Sequence, residues 1–307
     1  MTVEEKVQKA SNIIIQPKKL KINFAAPYPY TTENINGYLP HFVLKDKSLL
    51  TVGSSSDQLL NAMSCGCKDI TIIDRCSFSK EYFELKKAAI LSLPLEEYLE
   101  IFSSPQKKLF HKRKEYPFTK ERYEKLRDAL SCEESFPFWE ELINTFPIET
   151  IRKNFFIRDE YPKAANQKTN AYLKDEQTYQ ETKKMVTTIT PTFITGDILQ
   201  TEFHRQFDNI WLSNLLDYRL NKVNKERINY MIDSLTEDGK ILLYYLYAIS
   251  FWGEKVSIYD ILDPMDVIKY FPYKTQLVEI PGVDNILYKN NKTKDGILVY
   301  QKEKTRK

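Results

Sequence analysis

Four short stretches of this 307-residue chain carry the residue types that hold a small polar cofactor, and each sits at the end of an apolar run. Gly53-Ser54-Ser55-Ser56-Asp57 follows LLTV, and Asp74-Arg75 closes ITIID. Gly196-Asp197-Ile198 follows TFIT, and Ser213-Asn214 closes NIWLSN. In an open parallel sheet the ligand crevice lies outside the carboxyl ends of the strands, so residues in these places form the candidate binding set. Gly53 lets the backbone turn tightly and come close to a ligand. Asp74 comes about 20 residues later, the separation at which an acid reaches ribose hydroxyls in dinucleotide folds.

The cofactor is read from the glycines. A dinucleotide brings a pyrophosphate, which wants several backbone amides and the G-x-G-x-x-G loop. The chain has only 8 glycines, and Gly53 stands alone in its turn, which speaks against nicotinamide and flavin dinucleotides. S-adenosylmethionine carries no phosphate. It needs a close backbone approach, an acid for the ribose and a polar clamp at the adenine. Gly53 with Ser54, Ser55 and Asp57, then Asp74 with Arg75, then Asp197 and Ile198 supply these in order, and Ser213 and Asn214 complete the set. Tyr30, with Tyr28, Thr31 and Asn34, would close over the methionine end or shape an acceptor pocket; packing on the sheet edge is the other reading of these residues.

A sulfonium is an activated leaving group, open to attack at its methyl carbon or at the methionine γ-carbon. Displacement depends mainly on holding nucleophile and carbon in line, which supplies on the order of 7–11 kcal/mol. An amine acceptor also needs a base to leave it uncharged, and Asp217, Tyr218 and Glu33 are the residues expected to serve.

These residues must be positioned by strands and helices. LLTV and ITIID are short continuous apolar runs, as expected of strands buried on both faces. Between them Ser55 and Gln58 have the spacing of a capping box and Gly66 stands where a helix stops. Strand, helix, strand makes a βαβ unit. Tyr82, Leu85, Ala89 and Leu93 line one face of a following helix, which Pro94 ends. Further strands are expected at 192–195, 209–214, 240–249, 275–280 and 296–301, the last two as an antiparallel hairpin. The division expected is an N-terminal arm (1–47), the first half of a Rossmann-like core (48–93), a helical insertion (94–185) and the second half of the core (186–307). The fold class expected is α/β and Rossmann-like, with a mostly parallel sheet; the family resemblance given below implies the S-adenosylmethionine-dependent methyltransferase form of that fold.

Composition narrows the partners. Lys and Arg exceed Asp and Glu by 3, so no global field selects a nucleic acid. The basic, aromatic stretch from Lys107 to Arg127 keeps a nucleic-acid methyltransferase as an alternative, although its glutamates dilute the charge. Cys65, Cys67, Cys76 and Cys132 lack disulfide or zinc spacing, and no G-x-S-x-G elbow occurs. No metal is expected, and the reading is of a cytoplasmic protein. No apolar run approaches the roughly 20 residues of a membrane span, which leaves contact with a membrane surface open.

The segment TVGSSSDQLLNAMSCGCKDITIIDRCSFSKEYFELKKAAILSLPLEEYLEIF resembles the cofactor segment of the DUF3419 family. Shared features are the G-S-x-x-D turn, the acid ending the second strand, the E-L-K-x-A-A-I helix and the L-x-x-x-x-Y/F-x-x-x-F segment. FDNIWLSNLLDY and LTEDGKILLYYLY resemble later strands of that family and of class I methyltransferases, so the resemblance covers residues 48–102 and 192–250. It implies an S-adenosylmethionine-dependent enzyme moving a 3-amino-3-carboxypropyl or methyl group to a small molecule or lipid headgroup. The family includes the 3-amino-3-carboxypropyl transferases of betaine-lipid synthesis. Those enzymes typically continue the acid as D-x-N-P, whereas this chain has Asp74-Arg75-Cys76-Ser77, so the lipid acceptor does not carry over. A non-catalytic cofactor-binding or interaction module on the same fold is the further alternative.

Overall fold

The apolar runs pair side by side as strands. A computed structural model describes residues 1–17, 26–53, 55–103, 118–156, 163–215, 225–247, 275–283 and 294–303. In chain order these form α1 (Val3–Ile15), α2 (Ile35–Tyr38), β1 (Ser48–Thr51), α3 (Asp57–Ser64), β2 (Asp69–Asp74) and α4 (Ser79–Ser92). The helical stretch follows: α5 (Leu95–Phe102), α6 (Lys120–Leu130), α7 (Phe136–Thr145), α8 (Ile148–Asn154), α9 (Lys163–Thr169) and α10 (Glu176–Thr188). Then come β3 (Thr192–Thr195), β4 (Phe207–Trp211), α11 (Lys225–Asp233), β5 (Leu235–Leu246), β6 (Gln276–Pro281) and β7 (Lys294–Gln301).

The strands make one 7-stranded sheet in the order β3-β2-β1-β4-β5-β7-β6. β3 to β5 run parallel and β7 is antiparallel to both its neighbours. This is the expected Rossmann-like fold with its C-terminal antiparallel pair. Strand order reverses between β1 and β4, the topological switch point, so the crevice opens there. Side chains alternate across the sheet with period two. Leu49, Ile70 and Ile72 pack into a core shared with α3, α4 and the helical stretch, while Leu50 and Ile73 face a second core with Ile228, Met231 and Ile232 of α11.

Among its described residues the stretch 94–185 is made of helices α5 to α10 and their connections. Its buried residues, among them Tyr98, Tyr123, Trp139, Tyr172 and Tyr179, join the core of the first half of the sheet. No helix among the described residues is long and apolar enough to cross a membrane.

Helix α3 shows one expectation met and one corrected. Gly66 ends it at φ 84°, with Gly66 N donating to Met63 O and Cys67 N to Ala62 O, the paired bonds of a Schellman stop. Gly66→Ala should cost about 1–2 kcal/mol, the penalty of a Cβ in the left-handed region, read as a lower midpoint in urea unfolding. The capping box is not formed. Ser56 takes the position before α3 at φ 65° without a side-chain cap, and Ser55 Oγ instead accepts from Asp57 N at 3.2 Å. The chain enters the helix through a tight left-handed turn, which moves the Ser55 hydroxyl off the capping position.

Candidate functional site

Because β3, β2, β1 and β4 are neighbours, the four predicted turns lie side by side along the carboxyl edge of the sheet. Asp74 ties two strand ends together: its Oδ2 accepts from Gly53 N at 2.9 Å and its Oδ1 from Cys76 N at 2.7 Å. Gly53 sits close against β2, and a Cβ there would meet Ile72 Cγ2 at 3.1 Å. Gly196 N donates to Asp74 O at 2.9 Å, placing the third turn beside the second. Asp197 caps its own turn, its Oδ1 accepting from Leu199 N at 3.1 Å. Ile198 turns its side chain into the second core, so it offers the edge no side-chain contact. Arg75 is exposed next to Asp74. Ser54, Asp217 and Tyr218 lie outside the described residues, as does most of the basic stretch.

The N-terminal arm lies across the ends of β1, β4 and β5. Thr31 N donates to Asp57 Oδ2 at 2.6 Å, Thr32 Oγ1 meets the Tyr247 hydroxyl at 2.7 Å, and Asn34 N donates to the Tyr245 hydroxyl at 2.9 Å. Between them Glu33 is buried over the end of β4. Its Oε1 accepts from Ser213 Oγ and from Asn214 N at 3.2 Å, and its Oε2 from the Tyr38 hydroxyl at 3.3 Å. Ser213 presents its hydroxyl from a left-handed backbone, φ 60°, a conformation that costs a non-glycine residue energy and concentrates at functional sites.

Burial raises the Glu33 carboxyl to a pKa of about 7 from 4.5, against the bonds from Ser213, Tyr38 and Asn214, which lower it. The folded state thus holds this proton more tightly than the unfolded chain. Glu33 contributes stability that is fully present below pH 4.5 and is lost as pH rises through about 7. The loss amounts to roughly 3 kcal/mol. Unfolding of Glu33→Gln followed across this window should show a flatter pH profile than wild type.

The Asp57 carboxylate, expected from sequence to serve the cofactor, is bonded within the protein. Lys86 Nζ at 2.7 Å and the Tyr172 hydroxyl at 2.9 Å reach Oδ1, while Thr31 N takes Oδ2. Both side chains of the ion pair are 0% exposed. Lys86 lies over the rings of Tyr30 at 4.5 Å, Tyr82 at 5.4 Å and Phe102 at 5.7 Å. Burial pushes the Lys86 pKa down and Asp57 opposes it. This pair joins the turn after β1, the segment around Thr31, α4 and the helical stretch.

Around the pair, the Tyr30 hydroxyl, Ser56 Oγ and Gln58 Nε2 are buried without a hydrogen-bond partner among the described residues. Each such group costs about 1–3 kcal/mol, so a polar ligand at the turn after β1 would find buried groups to satisfy. Three basic residues of α6 are paired: Arg122 with Glu100, Lys125 with Glu97 at 2.9 Å and Arg127 with Glu140 at 2.6 Å. No His, Cys, Asp and Glu group among the described residues could hold a metal ion.

Neither a protein-family profile nor a curated protein matches this chain. Among solved structures it is similar to coclaurine N-methyltransferase bound to N-methylheliamine and S-adenosyl-homocysteine (10% identity, 98% of this chain and 88% of that one, TM-score 0.38). It is similar to the N-methyltransferase NodS of Bradyrhizobium japonicum with S-adenosyl-homocysteine (10% identity, 84% and 79%, TM-score 0.36). A third is an S-adenosylmethionine-dependent methyltransferase of Methanosarcina mazei (9% identity, 87% and 97%, TM-score 0.35).

Lys86, Tyr38, Tyr172, Tyr247 and Gln58 escaped the sequence reading as site residues. Lys86 carried a usable signal, since it falls four residues after Tyr82 and three before Ala89, within the apolar stripe of α4. A lysine there predicts a buried counter-charge. Tyr38, Tyr172 and Tyr247 reach the site through contacts distant in sequence, which no local spacing encodes.

Proposed function

We propose that this chain is an S-adenosylmethionine-dependent transferase that binds the cofactor along the carboxyl ends of β1 to β4. The observation carrying the proposal is the Asp74 carboxylate, bonded to Gly53 N across the ends of adjacent strands. It is fixed where an acid meets a ribose while the glycine admits close approach. The buried donors Ser56 Oγ, Gln58 Nε2 and Tyr30 OH fit the polar methionine end of such a cofactor. Asp57, an acid in the first turn of α3 already neutralised by Lys86, suits a ligand without phosphate at that helix end.

When bound, the cofactor supplies a sulfonium-activated carbon. The chain's own part is orientation and proton handling. Asp74 with Arg75 takes the ribose end, and Asp197 with the main chain of Ile198 takes the adenine end. Ser213 and Asn214 shape the reaction side with Glu33. With a pKa near 7, Glu33 is suited to take a proton from an amine acceptor at neutral pH. Asp217 and Tyr218 are proposed for the same task.

Between the two transferable groups, the contacts favour the 3-amino-3-carboxypropyl group and a DUF3419-like enzyme. The motifs behind that resemblance converge in space. Asp57 of G-S-x-x-D pairs with Lys86 of E-L-K-x-A-A-I, and Phe102 of the L-x-x-x-x-Y/F-x-x-x-F segment lies under the same lysine. Tyr98 of that segment reaches the Tyr172 hydroxyl at 3.1 Å, and Tyr172 donates to Asp57. The acceptor is proposed to be a small molecule or a lipid headgroup. A nucleic-acid substrate is disfavoured by the paired charges of α6. Chromatography of S-adenosylmethionine incubated with the protein and cell extract tests the choice. Methylthioadenosine release is expected, S-adenosylhomocysteine would mean methyl transfer, and neither product would leave a non-catalytic binding module.

A further inference from the structure

Two carboxyl groups are buried where the arm meets the sheet, and they are treated differently. Asp57 has its own cation, Lys86. Glu33 receives a serine hydroxyl, a backbone amide and a tyrosine hydroxyl, and among the described residues none of its hydrogen bonds comes from a lysine, arginine or histidine. An ionised carboxylate accepts about four hydrogen bonds. Three are made by the described residues, two of them to Oε1, which leaves Oε2 room for one more donor.

The surroundings also suit a cation. Tyr38 donates to Glu33 and its ring lies 5.4 Å from that of Trp211. Tyr245, bonded to Asn34 N, stacks edge-on against Tyr247 at 4.8 Å. Aromatic faces attract cations, more so when water is excluded. An isolated buried carboxylate is costly unless paired. A positive ligand would therefore be favoured here over a neutral one of the same shape.

We propose that Glu33 is the counter-charge for an ammonium group bound at the end of β4. The inference rests on the transferase reading for the source of that group, which is either the amino-acid end of the cofactor or an amine acceptor. The groups facing Glu33 are Tyr38 and Ser213, bonded to it, and Asp295, whose charge raises its pKa. Because that pKa is about 7, much of Glu33 is protonated at pH 6, and pairing with an ammonium ion expels the proton.

Calorimetry of the full chain in buffers of different ionisation enthalpy reads that proton directly. The probes are S-adenosylhomocysteine, methylthioadenosine, which lacks the amino-acid end, and ethanolamine with its uncharged analogue ethylene glycol. If the ammonium is the cofactor's, S-adenosylhomocysteine releases a large fraction of one proton at pH 6 and almost none at pH 8, while methylthioadenosine releases none. Glu33→Gln then removes the release and weakens S-adenosylhomocysteine at least tenfold. If it is the acceptor's, ethanolamine added to the S-adenosylhomocysteine complex shows the release, ethylene glycol does not, and Glu33→Gln abolishes it.

The wild-type proton count decides the matter even if Glu33→Gln fails to fold. No pH-dependent release with either ammonium probe, or equal release with methylthioadenosine, overturns the proposal. Wild type that binds neither nucleoside sinks the transferase reading instead. Glu33 is then judged on ethanolamine alone: the proposal stands if the proton release persists and falls if it does not.

Discussion

Lys86→Met should destabilise the protein by about 3–5 kcal/mol, the cost of leaving one member of a buried ion pair without its partner. The Asp57 carboxylate would keep Thr31 N and the Tyr172 hydroxyl but lose its ion pair with Lys86, at full burial. For a chain of this size that corresponds to a fall in Tm of roughly 10 °C. The double variant Asp57→Asn with Lys86→Met should recover a substantial part of the loss, because asparagine keeps an acceptor and removes the stranded charge. Thermal unfolding of the wild type, both single variants and the double variant completes the cycle. Additive losses would mean that the pair is not coupled. Since the pair ties the turn after β1 to the segment around Thr31, Lys86→Met should also weaken the proposed cofactor binding under conditions where it remains folded.

Asp74→Ala should lower the affinity for S-adenosylmethionine by on the order of 100-fold, about 3 kcal/mol. Hydrogen bonds to a charged group contribute about 1.5–3 kcal/mol each, and a ribose diol offers two. The substitution also removes the acceptor of Gly53 N and Cys76 N, so the turn after β1 loses its anchor to β2. Titration calorimetry on folded variant protein separates the effects, because a loosened turn alone would weaken methylthioadenosine and adenine alike. Loss of the ribose contact should spare adenine, which has no hydroxyls to offer.

Much of the fold could be read from residues 48–74 alone. Two apolar runs, one glycine turn and a second glycine at a helix stop define a βαβ unit, and Gly66 does what such a glycine predicts. The four strand-end turns were legible for the same reason, since each follows a continuous apolar run. Asp57 was not, because an acid in the first turn of a helix looks the same whether it faces a ligand or a buried lysine. Only Lys86, far along the chain, distinguishes the two. The capping box failed for a local reason: Ser56 adopts the left-handed region, which spacing does not report. β5 starts at Leu235 rather than near Lys240, since Phe207 of β4 pairs with Leu235 across an irregularity that no apolar run announces. The resting place of residues 31–34 on β4 and β5 was not legible, because it depends on Glu33, Ser213, Asn34 and Tyr245 meeting from distant segments.

The central claim is that the carboxyl edge of this sheet binds S-adenosylmethionine, and direct calorimetric titration of the wild-type chain with that cofactor tests it most simply. Saturable binding with one site per chain, lost in Asp74→Ala, is the predicted result. A folded wild-type protein that gives no binding heat at any accessible concentration and temperature would contradict it.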